Sequence, residues 1–234
     1  MSHNRTLRWL SLLLATIIVV AVALVSWLAR PFAGREGLEV SLDQLGVYGD
    51  VPAFALMERS GRRVTRDDLK GHVSVVDFIY TDCTDTCPTQ SLQFAQLQTE
   101  FAAASRFRLV SITVDPSHDT PAVLREYAAR YHAGDRWWFL TGTESEIYCL
   151  AKEGFHLGVV DPAGQPPTCG TALRFGPAPA WAHHGGKALV MHSSRFGLVD
   201  GRGRIRAYHL TNDAEAIAKL KTNVRRLLGE NRES

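Results

Sequence analysis

The run Val73-Ser74-Val75-Val76-Asp77-Phe78-Ile79-Tyr80 passes directly into Thr81-Asp82-Cys83-Thr84-Asp85-Thr86-Cys87-Pro88, and from Pro88 to about Ala104 apolar residues recur at helical spacing. A β-branched run of this kind reads as a buried strand, and a helix following it at once leaves few folds open. The expected inner side of that helix is Leu92, Ala95, Leu97, Phe101 and Ala102. The pattern then repeats. Phe107 to Val114 reads as a strand, and Asp115-Pro116-Ser117-His118-Asp119-Thr120-Pro121 as a loop ending in a capping residue and a proline at the first helical position. The helix it opens is expected to run to about Tyr131, followed by a strand over Trp137–Leu140 and a helix over Ser145–Glu153. Near the end, 188–191, 196–199 and 204–208 read as short strands, with Asp200-Gly201-Arg202-Gly203 as a turn, and Asp213 to Leu228 as an amphipathic helix. Two strand-helix-strand crossovers predict an α/β fold with a central sheet that is at least partly parallel.

Ahead of this region, Leu7 to Ala29 is apolar apart from Arg8 and a few small hydroxyl side chains. That length suffices to cross a hydrocarbon core of about 30 Å as a helix. A cleaved signal peptide has a shorter apolar part of about 7 to 15 residues and a small-x-small site. Ser26-Trp27-Leu28-Ala29-Arg30-Pro31 is a poor one, so an uncleaved anchor is expected, with Trp9 and Trp27 near its two interfaces. Arginines on both sides do not fix the orientation. A very short tail most simply stays in the cytoplasm, which predicts a single-pass protein of a bacterial inner membrane with its bulk in the disulfide-permissive periplasm.

The anchor also explains the charge. The chain of 234 residues carries 26 Lys and Arg against 24 Asp and Glu, a formal +2. Removing Arg5, Arg8 and Arg30, which flank the apolar run, leaves 26 less 3, or 23 basic against 24 acidic residues. A near-neutral remainder gives no support to nucleic-acid binding. With 45% apolar and 21% charged residues, a fully disordered chain is excluded. The expected organisation is an anchor over 1–30, a linker over 31–50 and one domain over 51–234, interrupted by a Pro- and Gly-containing loop at about 161–186 that no packed core requires.

Four cysteines are too few for a disulfide framework, so their positions carry the information. Cys83 and Cys87 sit where a loop enters a helix, and the unpaired N–H groups of a helix start are expected to lower their pKa values. Such a pair can form a disulfide or hold a soft metal ion with two sulfurs. Zinc would require two further ligands. Copper(I) accepts lower coordination and prefers thiolate, with imidazole as a suitable third donor. Of nine histidines, His192 directly follows the strand at 188–191, a position that can be held rigidly. His118, on the same carboxyl edge as the cysteines, and His183 and His184, in the Gly-flanked loop, are weaker candidates.

These motifs resemble the SCO/SenC family, thioredoxin-fold proteins anchored by one N-terminal helix. Phe78-Ile79-Tyr80-Thr81 before Cys83 and Cys87-Pro88 is similar to its first signature. Ser111-Ile112-Thr113-Val114-Asp115-Pro116 with Asp119-Thr120-Pro121 is similar to its second, and Met191-His192-Ser193-Ser194 with Leu198-Val199-Asp200 and Gly203 to its third. The resemblance covers about Pro52 to Leu220. It implies a thioredoxin-like mixed sheet flanked by helices, copper ligation by Cys83, Cys87 and His192, and a role for Asp115 in orienting the surroundings without binding metal.

The implied function is a copper-binding metallochaperone for the CuA centre of cytochrome c oxidase, holding Cu(I), with Cu(II) left open. Its partners would be oxidase subunit II or another copper chaperone. The alternative is a thiol-disulfide oxidoreductase using Cys83 and Cys87 on subunit II or other exported proteins. The three-residue spacing, and the lack of a proline immediately before the strands near Lys187 and Arg195, favour metal. A peroxidase is disfavoured by the nearness of Cys87, and a redox sensor of similar architecture stays open. The chain departs from the family pattern at Thr84, where many relatives have proline, and in Cys149 and Cys169. A structural disulfide between those two would close a loop of about twenty residues, worth roughly 3 kcal/mol in the chain-entropy model.

Overall fold

The computed structural model describes residues 15–25, 42–84, 86–156, 169 and 194–230. The chain divides into two units, residues 1–41 and 42–234. In the first, residues 15–25 form helix α1, every side chain of which is exposed. Among the described residues no helix is long and apolar enough to cross a membrane. The ends of the predicted span, 7–14 and 26–29, lie outside the described residues.

The second unit carries the sheet. In chain order it contains β1 (Gly49–Asp50), β2 (Ala55–Glu58), β3 (Arg63–Thr65), a 3-10 turn (Arg66–Leu69), β4 (Val73–Ile79), α2 (Thr86–Glu100) and β5 (Phe107–Thr113). There follow α3 (Pro121–Arg130), β6 (Trp137–Thr141), α4 (Glu144–Cys149), a π-helical turn (Leu150–Gly154), β7 (Arg195–Val199), β8 (Arg204–Leu210) and α5 (Ala214–Glu230). The strands form one sheet in the order β1-β8-β7-β4-β5-β6-β2-β3. β4, β5 and β6 are parallel, while β7 joins β4, and β2 joins β6, antiparallel. The crossovers from β4 to β5 through α2, and from β5 to β6 through α3, produce this parallel centre.

Every residue of β4 is buried, because helices cover both faces of the sheet. Val73, Val75 and Ile79 pack with Phe94, Leu124, Tyr127 and Leu220 of α2, α3 and α5. Val76 and Phe78 turn to the opposite face, against Ile147, Leu150 and Phe155. Strand alternation therefore puts Asp77 on the α2 face.

Three expectations change. The inner side of α2 is Cys87, Gln90, Ser91, Phe94 and Leu97, continued by Phe101, whereas Leu92 is 57% exposed and Ala102 is exposed. The helix starts at Thr86, so its buried face counts from Cys87 at three- and four-residue steps. Two polar residues on that face hide it from an apolar-periodicity reading. The stretch expected to be linker up to Asp50 is structured from Leu42 onward along β8. Tyr208 N donates to Leu42 O at 2.7 Å, Gly46 N to Arg206 O at 2.9 Å and Tyr48 N to Ile205 O at 2.9 Å. Only Leu42, Leu45 and Tyr48 pack there on the core, at three-residue steps that do not alternate as a strand would. The helix expected over Ser145–Glu153 is α-helical to Cys149 and continues as the π turn. The strand expected at 188–191 lies outside the described residues, as does the loop at 161–186 apart from Cys169.

Cys149, the last residue of α4, is joined to Cys169 by a disulfide. The turn after β7 is tied by Asp200, whose carboxylate accepts Arg202 N and Arg204 N at 3.0 Å each and the guanidinium of Arg206 at 3.1 Å. Gly203 in that turn has φ +81°, which glycine adopts without strain.

Candidate metal centre

Because β4 and β5 are parallel neighbours, the loops that follow them leave the sheet at the same edge. The first holds Cys83 and leads to Cys87 in the first turn of α2; the second runs from Val114 to Thr120 and is capped into α3 by Thr120, whose side chain accepts Val123 N at 3.4 Å. Asp119, fully buried, staples the two loops together. Its carboxylate accepts Thr81 N at 3.1 Å, the Thr81 hydroxyl and the Thr113 hydroxyl, and it contacts His118 Nδ1 at 3.0 Å. Thr81 stands two residues before Cys83, so the position of the first thiol depends on this buried carboxylate. Asp115, the carboxylate expected to orient the site, accepts Ser117 Oγ at 2.8 Å and His118 N at 3.4 Å within its own loop.

The two thiols are not joined to each other, and Cys83 and Cys87 are 8% and 4% exposed. Cys87 N donates to Cys83 Sγ at 3.4 Å, which brings the first sulfur over the opening turn of α2. Burial pushes the Cys87 thiol well above its ordinary range, and its hydrogen bond with Cys83 adds to the rise. This reverses the lowering expected from the helix start. The unpaired N–H groups there favour an anion, but removing a thiolate from water costs more than they return.

Asp77 lies on the same face of the sheet, fully buried. Neither carboxyl oxygen has a hydrogen bond of full geometry; Ser111, paired with Asp77 across β4 and β5, holds the carboxylate form only in part, and its Oγ already accepts Trp137 Nε1 at 2.9 Å. Burial pushes Asp77 up to about 7. Its charge, when present, opposes thiolate formation at Cys87. One turn beyond Cys87, the buried Ser91 hydroxyl is bonded to Tyr127 Oη at 2.9 Å. A lone acid inside a β-branched run is the signal that marks Asp77 in the sequence.

Among the described residues no group of three or more His, Cys, Asp or Glu side chains is placed to hold a metal ion. His118, on the right edge, faces carboxylates instead, with Nε2 3.6 Å from Asp82. Its hydrogen bond to Asp119, with help from Asp82, raises its pKa. His192, His183 and His184 lie outside the described residues. The structure does place Ser194, two residues after His192. Ser194 O accepts Thr211 N at 2.9 Å, and the Thr211 hydroxyl accepts Gln90 Nε2 at 3.4 Å, one helical turn after Cys87. Two residues of chain reach at most about 7 Å. The start of β7 is therefore hydrogen-bonded, through Thr211, to the helix that carries the second cysteine.

A mixed sheet with helices on both faces, and a cysteine pair where its central strand meets a helix, defines a thioredoxin-like protein. The SCO1/SenC family model matches residues 48–228, and this chain belongs to that family. The SCO1 protein homolog of Bacillus subtilis is 36% identical over 119 residues, which span 50% of this chain and 62% of that protein's length. A Stutzerimonas stutzeri protein named as copper-binding is 32% identical over 163 residues, 67% of this chain and 69% of its own. Among solved structures, BsSco, described as a member of the Sco family of cytochrome c oxidase assembly proteins, superposes with a TM-score of 0.61 at 27% identity, over 79% of this chain and 98% of that one.

Proposed function

We propose that this protein is a membrane-anchored copper-binding metallochaperone that holds Cu(I) on Cys83, Cys87 and His192 and assists assembly of the CuA centre of cytochrome c oxidase. The observation that carries the reading is a buried cysteine pair, not joined to each other, where the loop after β4 enters the first turn of α2, with Ser194, two residues after His192, tied to the same helix. Two thiolates and an imidazole are the donor set that suits a soft monovalent ion. The names of the Stutzerimonas relative and of BsSco support the metal and the target. In this reading Asp119 fixes the loop that carries Cys83, the packing around α2 keeps water from the sulfurs, and copper passes to subunit II or to another chaperone. The exposed apolar side chains of α1, within the longer apolar run of the sequence, are what supports the anchor in this reading; a bacterial inner membrane with the domain in the periplasm is part of the proposal.

A second reading, reduction of disulfides on subunit II or other exported proteins, is favoured by one observation: the two cysteines are not joined to each other, yet Cys83 Sγ lies 3.4 Å from Cys87 N. BsSco has an identified disulfide switch. An anaerobic Cu(I) competition titration of the reduced full-length chain in detergent separates the two. The expected result is one tight equivalent, strongly weakened by Cys83→Ser or Cys87→Ser and moderately by His192→Ala. Weak binding that ignores His192→Ala, together with rapid reduction of an oxidase-peptide disulfide, establishes the second reading instead.

A further inference from the structure

Arg108, the second residue of β5, stands at the amino edge of the parallel strands, away from the edge that carries Cys83. Its guanidinium carbon lies 5.4 Å from the centroid of the Trp138 ring, and that of Arg62 lies 4.9 Å from the same ring. With His72 these residues line a cleft of about 540 Å³. Arg108 Nη2 donates to His72 Nε2 at 3.1 Å, and His72 Nδ1 donates to Lys70 O at 3.0 Å, the pattern of a neutral imidazole. The histidine therefore brings Arg108 no countercharge. Among the described residues no carboxylate pairs with Arg108, and the charges that bear on it are those of Arg136 and Arg62. Its Nε is buried without a hydrogen bond, as is the hydroxyl of Ser74, which pairs with Arg108 across β4 and β5 and so shares its face. Two carboxylates of the cleft are committed elsewhere: Glu58 accepts Ser60 N at 2.7 Å, and Asp68 accepts Thr65 N at 2.7 Å and Arg62 Nη1 at 3.2 Å. The third, Asp135, is exposed to solvent.

A guanidinium keeps its charge at any ordinary pH, and a charge drawn out of water costs free energy unless it is paired. Leucine or methionine at position 108 would cover Trp138 without that cost, so packing does not account for the arginine. We propose that this cleft is a phosphate-binding site, in which Arg108 supplies the unmatched charge, Arg62 a second one, and Trp138 the flat surface that holds both guanidinium groups in place. Among the described residues Arg108 Nη1 has no hydrogen-bond partner, which leaves a donor for a ligand oxygen. The two cations reach the ring from β5 and from the turn before β3. That arrangement suits an anion with more than one charge and oxygens pointing several ways, which is phosphate before carboxylate. A free phosphate and the phosphate of a lipid headgroup share this chemistry.

The test is a calorimetric titration of the full-length chain in neutral detergent with orthophosphate, against acetate at matched ionic strength. Saturable binding of orthophosphate and none of acetate is the expected result. Arg108→Met keeps the apolar stem and removes the charge, and is expected to weaken orthophosphate binding about tenfold or more, the scale of one charge-assisted hydrogen bond. Arg108→Lys keeps the charge without the fork and is expected to recover only part of the loss. Arg62→Gln alters a side chain that is 47% exposed, so folding is not at stake, and is expected to cost about threefold. Glycerophosphoglycerol, the soluble headgroup of phosphatidylglycerol, distinguishes the sources in the same titration: tighter binding than orthophosphate supports a lipid headgroup as the ligand, weaker binding a free phosphate. No saturable binding of either phosphate compound would overturn the site, as would equal binding of acetate, or phosphate binding that is unchanged in both Arg108→Met and Arg62→Gln.

Discussion

Asp119→Ala is expected to lower stability by about 3 kcal/mol or more, and to weaken Cu(I) binding as a consequence. The carboxylate serves three donors at once, Thr81 N and the hydroxyls of Thr81 and Thr113, at a site with no exposure to water. Removing it leaves buried polar groups unsatisfied, at roughly 1 to 3 kcal/mol each, partly relieved if water enters the cavity. It also releases the loop two residues from Cys83. Asp119→Asn keeps the size and part of the acceptor capacity, so it is expected to lose less. Urea unfolding of the metal-free proteins measures this, and a loss below about 1 kcal/mol for the alanine variant would show that Asp119 is not the staple.

Asp77→Asn is expected to do the opposite, stabilising the protein in a pH-dependent way. The carboxyl has an ordinary value of 3.8 and is raised to about 7 by burial. In the pH range between these values the folded state holds a proton that the unfolded state has released. Stability contributed by the protonated acid is full below pH 3.8 and is lost as pH rises toward 7. A shift of about three units corresponds to on the order of 4 kcal/mol for a fully buried group. The advantage of the variant should therefore be small near pH 4 and reach that order by pH 8. His209, buried and pushed down to about 4, works in the reverse direction: its contribution is lost as pH falls from 6.5 through that value. The difference between variant and parent cancels His209. Urea midpoints from pH 4 to 8 that ran parallel for the two proteins would mean that Asp77 is not a buried neutral acid.

These residues show what can and cannot be read in the chain. The crossover elements around β4, β5 and β6 were legible because their strands are continuous apolar runs and their helices carry caps, such as Thr120 before Pro121. Strands β2 and β3 were not, at four and three residues with few buried positions. On α2 and just past its end, Leu97, Phe101 and Ala95 face the core as expected, while Leu92 and Ala102 face out, and the rest of the buried face is hidden from sequence for a reason connected with function. A helix whose first turns serve a thiol site buries Gln90 and Ser91 where periodicity looks for leucine. The rise at Cys87 was missed because position at a helix start is visible in sequence, whereas the degree of burial is not. Asp119 was visible only as part of a loop motif, and its staple needs the parallel register of β4 and β5 to exist.

The central claim is that two sulfurs and one imidazole hold the metal, and X-ray absorption at the copper edge of the Cu(I)-loaded full-length protein tests it most directly. The account predicts a first shell of two sulfur ligands and one histidine nitrogen, with the nitrogen contribution lost in His192→Ala and one sulfur lost in Cys83→Ser or Cys87→Ser. A shell without sulfur, or a spectrum unchanged by His192→Ala, would contradict it.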